Sequence, residues 1–373
     1  MKQLGIQCYF ELYKIVHTKQ TRIALAVMVV LTLLSGLQLN KQETYFEQSR
    51  QMETMDGTKL DNATITEIRQ AIDLANIDWD KEETWSYAGF LYPLTGLVPS
   101  MDKAFTADDF YQIRSTQIKQ TMKEYALSQK EMDWWEKQEE SIEKPFIYTS
   151  FFHVQSLINN MTNVCLLSLL CAAICLSVVF SNEHRNGTDA LIRTSKYGKK
   201  EAYLAKWITG FLFELACTSL LGMLMTAVTF LRFGFHGMDA IVQWGIPLSS
   251  YSITFLQLFK TQWILLITAS FLFSGLAMFL SLVTRNGILA MAGMIAFYLC
   301  TQFFIIPYQW RWLSQIVQML PTELITTWTL NDHRLISVFG QYHTMYTIAP
   351  VCYLLIPVIL FMAGYSVYQR ETR

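Results

Sequence analysis

Six long apolar runs set the strongest limit on how this chain folds. They cover roughly 22–39, 157–180, 207–231, 263–283, 288–307 and 348–367. Each approaches or exceeds the about 20 apolar residues that a helix needs to cross about 30 Å of hydrocarbon. Because 52% of the residues are hydrophobic and only 16% are charged, an ordinary soluble domain is excluded. We therefore predict an all-α polytopic membrane protein with six transmembrane helices.

The N-terminal segment 1–21 predicts an amphipathic helix in the cytoplasmic membrane interface, ahead of a first span over 22–39. Apolar residues such as Leu4 and Phe10 are interspersed with lysines such as Lys2 and Lys14. The leader is long, contains the acidic Glu11, and is followed by no clear cleavage site. We therefore predict an uncleaved anchor, not a signal peptide.

Basic residues indicate the orientation of the spans. With the N-terminus inside, thirteen Lys and Arg fall on the cytoplasmic side and four in the short outer loops, namely Arg232, Lys260, Arg311 and Arg334. Segment 40–150 is left out of this count, because long loops translocate largely regardless of charge. The bias predicts a plasma-membrane protein with both termini in the cytoplasm.

Segment 40–150 is a polar insertion between spans one and two, with 12 Lys and Arg against 21 Asp and Glu. Helical patterns near 64–75 and over 106–143 predict a small, mainly helical extracellular domain. Residues 89–99, rich in Gly and Pro, predict an apolar patch of turns. We expect the core of the domain to be formed by Trp79, Trp85, Trp134 and Trp135. Alternatively, these rings contact a ligand or lipid headgroups.

Motifs for catalysis are absent from the sequence. It contains no phosphate-binding loop, zinc motif or nucleophile elbow, and of its seven cysteines the pair Cys171 and Cys175, one helical turn apart, has no His or acidic neighbour at metal-ligand spacing. We predict no enzymatic activity, no metal site, no cofactor bound by this chain and no nucleic-acid partner.

Polar residues inside the spans are candidates for a transport path. Glu214 lies in the third span, where a charge costs about 2.5–3.5 kcal/mol. It is either a path contact or conformational lock, or a buried carboxyl bonded to a neighbouring helix. Asn159, Asn160 and Asn163 in span two, and Gln302 in span five, either line a polar exit or bond across helices.

The loop 182–206 between spans two and three is short, basic and amphipathic. A loop of this size has no core of its own, so Ala190, Leu191 and Ile192 need a partner surface on the cytoplasmic side. The alternative is a basic loop held by anionic lipid headgroups.

This loop resembles that of a known family. Its pattern is Glu183-x-x-x-Gly187-Thr188, then Leu191-x-x-Thr194-Ser195-x-x-Gly198-Lys199 and Lys206. It resembles the loop between spans two and three of ABC-2-type exporter permeases. The plan is also similar, with an interfacial N-terminal helix, six spans and a semi-apolar outer loop 308–347 within segment 151–373. The insertion 40–150 is larger than the family's usual first outer loop.

The resemblance implies a membrane subunit driven by a separate ATPase. Residues 185–196 would contain the coupling helix that docks on an ABC ATPase subunit, which binds the ATP and Mg. Glu183 would pair with a basic residue of the N-terminal helix or of the ATPase. The implied coupling residues are Glu183, Arg185, Gly187, Thr188, Ala190, Leu191, Ile192, Arg193 and Thr194.

The function implied is export of a peptide, drug or lipid-like substrate, performed with a second permease copy or a related permease chain. The alternative is ATPase-driven mechanotransmission or sensing through the extracellular domain, without substrate translocation. The sequence itself identifies no substrate.

Overall fold

The computed structural model describes residues 2–38, 43–98, 101, 104–188, 199–303 and 306–370. The protein is mainly helical, and the one sheet among these residues is the hairpin of β1 (Ile336–Val338) and β2 (Gln341–His343). The helices are α1 (Lys2–His17), α2 (Lys19–Leu37), α3 (Glu43–Met52), α4 (Asn62–Ala71), α5 (Glu82–Leu97), α6 (Ala107–Glu124), α7 (Gln129–Glu140), α8 (Phe152–Cys171), α9 (Ser181–Arg185), α10 (Lys200–Phe233), α11 (Phe255–Thr284), α12 (Gly287–Phe303), α13 (Arg311–Gln318), α14 (Pro321–Leu324) and α15 (Met345–Arg370).

Long apolar helices confirm that the chain is a membrane protein. Five helical stretches of the described chain are long and apolar enough to cross a bilayer, namely Lys19–Leu37, Phe152–Arg185, Lys200–Phe233, Phe255–Thr284 and Met345–Gln369. The fifth predicted span corresponds to α12, an apolar helix of 17 residues. At about 1.5 Å per residue α12 rises about 25 Å, which is slightly less than the hydrocarbon thickness.

The predicted N-terminal helix is present, with a different boundary. α1 ends at His17, and Thr18 begins α2 by accepting a hydrogen bond from the amide of Thr21 at 3.2 Å. α1 buries Ile15 but exposes Tyr9 and Phe10. The break between α1 and α2 therefore falls four residues earlier than the sequence predicts. The N-cap residue Thr18, and not the start of the apolar run, determines where α2 begins.

The second span is the centre of the bundle. α8 packs against α2, α10 and α11, and its residues Leu157, Met161 and Val164 are fully buried. After α8 the helix widens into a π-helical turn over Ala172–Leu176 before α9 begins. Such turns interrupt the regular hydrogen-bond ladder and often mark functional positions.

Three segments pack together at one end of the bundle, and we call them the cap: the described parts of 43–150, 234–254 and 306–344. Phe90 and Phe110 of the insertion share one hydrophobic core with Trp244 and Leu330 of the other two segments. The ring centroid of Trp244 lies 5.4 Å from that of Phe90. The insertion therefore supplies most of this core itself, and two other connections complete it, which the sequence does not predict.

Two further expectations for the insertion need correction. Residues 89–97 continue helix α5 through Pro93, because complete burial of Phe90, Leu91 and Leu94 outweighs the about 3 kcal/mol cost of an internal proline. Of the four tryptophans expected in the core, Trp135 is fully buried, whereas Trp79 is 39% exposed.

Buried polar side chains join the cap segments. Glu131 of α7 pairs with Arg311 of α13 and accepts the amide of Leu335 at 3.1 Å. Trp135 donates its indole N–H to the carbonyl of His333 at 2.6 Å. Arg114 of α6 donates to the carbonyl of Pro247 at 2.6 Å. The outer loop 308–347 therefore folds onto the insertion as helices and a hairpin.

We predict that acid weakens the cap through His333. Burial lowers the pKa of His333 to about 4, against an ordinary value of 6.5. Between pH 6.5 and pH 4 the unfolded chain therefore binds more protons at His333 than the folded chain does. The free energy of unfolding falls as the pH drops through this range. His333 alone accounts for a loss of about 3 kcal/mol, at about 1.4 kcal/mol per pKa unit. Hydrogen exchange of α7 amides between pH 7 and pH 4 measures the loss.

Two variants test this assignment. His333→Gln keeps a group that can bond to Ser250, which His333 contacts at 3.1 Å, and should flatten the pH dependence. His343→Gln, in the partly exposed strand β2, should keep the wild-type dependence. Equal slopes in the wild type and in His333→Gln would contradict the prediction.

Candidate functional site

A buried ion cluster joins three elements at the end of the bundle opposite the cap, which we call the tail side. The ammonium of Lys206 in α10 is 1% exposed and lies 2.6 Å from Glu183 Oε1 of α9 and 3.1 Å from Glu11 Oε2 of α1. Lys14 of α1 completes the cluster, with its Nζ 2.7 Å from Glu11 and 3.1 Å from Glu183. Each carboxylate therefore contacts both ammonium groups, and the four charges sum to zero.

Neighbouring contacts fix the cluster in place. Lys206 also donates to the carbonyl of Val179 at 3.3 Å and lies 5.5 Å from the ring centroid of Phe180. Thr209, one turn further along α10, donates its hydroxyl to the carbonyl of Cys8 at 3.3 Å. α1 is therefore bound along the start of α10 by backbone contacts as well as by charge.

The environment favours the charged forms of Glu11 and Lys14. Burial raises the pKa of Glu11, but the charges of Lys206 and Lys14 outweigh it, so the net pKa lies below the ordinary 4.5. Burial lowers the pKa of Lys14, but Glu11 and Glu183 outweigh it, so the net pKa lies above the ordinary 10.5. A partly buried pair of this kind becomes costly to separate, because each partner would leave an uncompensated charge.

Of the residues implied for coupling, Glu183 belongs to this cluster, and Arg185, Gly187 and Thr188 follow it in the chain. Glu183 pairs with Lys14, a basic residue of the N-terminal helix, which is one of the two kinds of partner that the resemblance implies. Gly187 has φ +65°, the left-handed conformation that ends α9, and Thr188 donates its amide to the carbonyl of Glu183 at 3.0 Å. Arg185 is exposed. The remaining residues implied for coupling lie outside the described part of the chain, namely Ala190, Leu191, Ile192, Arg193 and Thr194.

The central role of Lys206 was missed at the sequence level. A lysine at the end of a basic loop is ordinarily solvated. The signal that points to a buried ion pair is the position of Lys206 as the seventh residue of the largely apolar helix α10. Two neighbouring segments each supply a carboxylate.

Glu214 is fully buried between α10 and α8. Its Oε1 accepts hydrogen bonds from Ser168 Oγ at 3.0 Å and from Thr218 Oγ1 at 3.4 Å. Oε2 has no hydrogen-bond partner among the described residues, and no ion pair with Glu214 occurs there. The geometry is that of the second alternative, a buried carboxyl bonded to a neighbouring helix.

The predicted polar residues of spans two and five also bond across elements. Asn163 donates to Ser35 Oγ of α2 at 2.9 Å, and Asn160 accepts from the same hydroxyl at 3.2 Å. Asn159 accepts from Thr327 at 3.4 Å, and Gln302 donates to Glu323 of α14. These bonds join α8 to α2 and both spans to the cap, as helix packing predicts.

The fold and these sites define a mainly helical, polytopic membrane protein, in which buried polar contacts join the helices at both ends. Comparisons with protein-family models, curated proteins and solved structures find no match to the chain.

We predict that Lys206→Met releases α1 from the bundle. The methionine keeps most of the apolar stem but leaves Glu11 and Glu183 to share Lys14, so we expect a loss of about 3 kcal/mol in stability. Thermal unfolding in detergent and hydrogen exchange along α1 measure the two effects. Lys200→Met, which removes an exposed lysine from the same helix, should change stability by about 0.5 kcal/mol or less. Equal effects of the two variants would contradict the prediction.

Proposed function

We propose that the chain is the permease subunit of an ATP-binding-cassette exporter in the plasma membrane. It would move a peptide, drug or lipid-like substrate out of the cell, driven by a separate ATPase subunit that binds ATP and Mg. One observation carries the proposal: the Lys206 cluster joins α1, the residues before segment 189–198 and α10 at one buried point. The motif that resembles the ABC-2 coupling loop runs directly through this point.

The cluster supports a physical route for coupling. Segment 185–196 contains the docking site in this proposal, and Glu183 lies two residues before it. A force on that segment would be transmitted to Glu183. Separating Glu183 from Lys206 would leave the ammonium of Lys206, which is 1% exposed, less well compensated by carboxylates. α1, α9 and α10 are therefore expected to move as one body. Export then follows from alternating exposure between this subunit and a second permease copy or a related chain.

The positive-inside bias supports the orientation in this proposal, with α1 and segment 189–198 in the cytoplasm and the cap outside. In this proposal α12 lies within the fifth of six spans, predicted over 288–307. Membrane lipid surrounds α2, α12 and α15, which expose apolar side chains such as Val27, Phe297 and Ile359.

The cap supports a second candidate function, mechanotransmission or sensing without translocation. Its three segments connect the outer ends of successive spans and are joined by contacts such as Glu131–Arg311 and Trp135–His333. Rearrangement of the spans would therefore pass directly into the cap. Substrate transport is not required for this function.

Reconstitution distinguishes the two candidates. The chain is purified with its ATPase, placed in vesicles, and supplied with ATP and a panel of cationic peptides, hydrophobic dyes and fluorescent lipids. ATP-dependent transport of one probe class supports the exporter. An ATP-dependent change in cap cross-linking without transport of any probe supports the mechanotransmitter. If no ABC ATPase copurifies after cross-linking in the native host, both candidates fail.

We predict that Leu191→Asp uncouples the complex. A charge in the docking segment would be buried against the ATPase without a partner, so ATPase binding should weaken by about 2–3 kcal/mol. Thermal unfolding of the permease should be unchanged, whereas stimulation of ATP hydrolysis should be lost. Leu191→Met, which keeps an apolar side chain, is the matched control. Normal stimulation in Leu191→Asp would overturn the docking assignment and leave the Lys206 cluster as a structural feature.

A further inference from the structure

A cavity of about 450 Å³ lies within the cap, between the end of the insertion and the connection from α10 to α11. This volume falls in the range of about 300–1,000 Å³ that is typical of small-molecule sites. Residues 141–149 form one wall, and residues 239–243 and 252–257 form the other. The cavity is separate from the Lys206 cluster, which lies at the opposite end of the bundle.

The walls of the cavity are held in place by the core of the cap. Phe146 and Tyr148 are buried in that core, whereas Ile147 between them lines the cavity. This alternation is that of an extended chain. The carbonyl of Ile147 accepts the indole N–H of Trp244 at 2.9 Å, which binds one wall to the other. The cavity is therefore formed by contacts within the chain and does not need a ligand to shape it.

Two carboxylates line the cavity without a partner. The side chains of Glu143 and Asp239 form no ion pair or hydrogen bond with the part of the chain that the structure describes. Lys144, next to Glu143, pairs instead with Glu139 at 3.3 Å. None of the described residues that line the cavity is basic. The cavity therefore has two uncompensated negative charges at neutral pH.

A buried amide adds an acceptor that also lacks a partner. Gln243 lines the cavity and is 1% exposed. Its Nε2 donates to the carbonyl of Ser249 at 3.1 Å and to that of Tyr251 at 2.8 Å, which identifies the nitrogen and fixes the amide. Its Oε1 has no hydrogen-bond partner among the described residues. Because a buried acceptor without a donor is unfavourable, this position favours a ligand that donates a hydrogen bond.

The apolar part of the lining lies between the two carboxylates. Near Glu143, Ser252 Oγ donates to the carbonyl of Ser141 at 3.4 Å and joins the walls at one end. Near Asp239, Gly237 packs so closely on the carbonyl of Ser150 that a Cβ would overlap it, which joins the walls at the other end. The apolar side chains between these ends include Ile147, Ile241 and Ile253.

We propose that this cavity binds alkylammonium groups, which are cations carried on an apolar stem. Glu143 and Asp239 pair with the ammonium charge, Gln243 Oε1 accepts an ammonium N–H, and the isoleucines cover the stem. A free polyamine and the lysine side chains of a peptide supply the same chemistry. A bare metal ion would leave most of a cavity of about 450 Å³ without contacts. The proposal goes beyond the proposed function, since it concerns the cap alone and requires neither the ATPase nor transport.

Calorimetric titration tests the proposal. The full chain, purified in a neutral detergent, is titrated at constant ionic strength with the diamine cadaverine, with the peptide acetyl-Lys-Gly-Lys-amide and with Mg²⁺. We expect saturable binding of at least one of the two amines and weaker binding of Mg²⁺. Tighter binding of cadaverine would support a free polyamine as the source of the ammonium groups, whereas tighter binding of the peptide would support lysine side chains.

Variants at the two carboxylates locate the binding. Glu143→Gln and Asp239→Asn change exposed side chains, so the cap should stay folded, and each should lower the affinity for the bound amine by about fivefold, the effect of about 1 kcal/mol. Glu140→Gln is the matched control, because it removes an exposed carboxylate of the same insertion that does not line the cavity. Its affinity should equal that of the wild type.

Three results would overturn the proposal. The first is the absence of saturable binding of both amines. The second is tighter binding of Mg²⁺ than of either amine. The third is an equal loss of affinity in Glu140→Gln and in the two lining variants, since binding would then reflect only the general negative charge of the insertion.

Discussion

The buried ammonium of Lys206 imposes the constraint on which the tail side of the molecule depends. At 1% exposure it is without water, so it needs carboxylates from other elements. Glu11 and Glu183 supply them, and each brings its own helix into a fixed position against α10. Two carboxylates around one ammonium would leave an excess negative charge, and Lys14 removes it. The position of the N-terminal helix therefore follows from charge balance as much as from its apolar face.

The two ends of the bundle are held by different means, and the region between them is held by a hydrophobic core. The tail side depends on one ionic cluster, whereas the cap depends on a shared aromatic core and on buried side chains such as Glu131 and Trp135. Between the ends, α8 carries the π-helical turn Ala172–Leu176. Glu214 joins α8 to α10 nearby through the hydroxyl of Ser168.

The sequence predicts those features that depend on local pattern. Run length identifies the spans, and the helical pattern over 106–143 identifies the region of α6, which begins where Thr106 accepts the amide of Asp109 at 3.3 Å. The pairing of Glu183 with a basic residue was implied by the resemblance to the ABC-2 loop and not by a local pattern. Features that depend on contacts between distant segments are not predictable in this way. Trp244 lies more than 150 residues from Phe90, and nothing near either residue indicates that they share one core.

The middle of the bundle depends on packing more than on polar contacts. α8 lies at its centre, where Leu157, Met161 and Val164 are fully buried. Within this buried span the π-helical turn Ala172–Leu176 interrupts the regular hydrogen-bond ladder, and Glu214 of α10 bonds to Ser168 one turn before it. In the proposed exporter, a movement that begins at Glu183 would meet this irregular backbone first, because α8, the π-helical turn and α9 belong to one helical stretch, Phe152–Arg185.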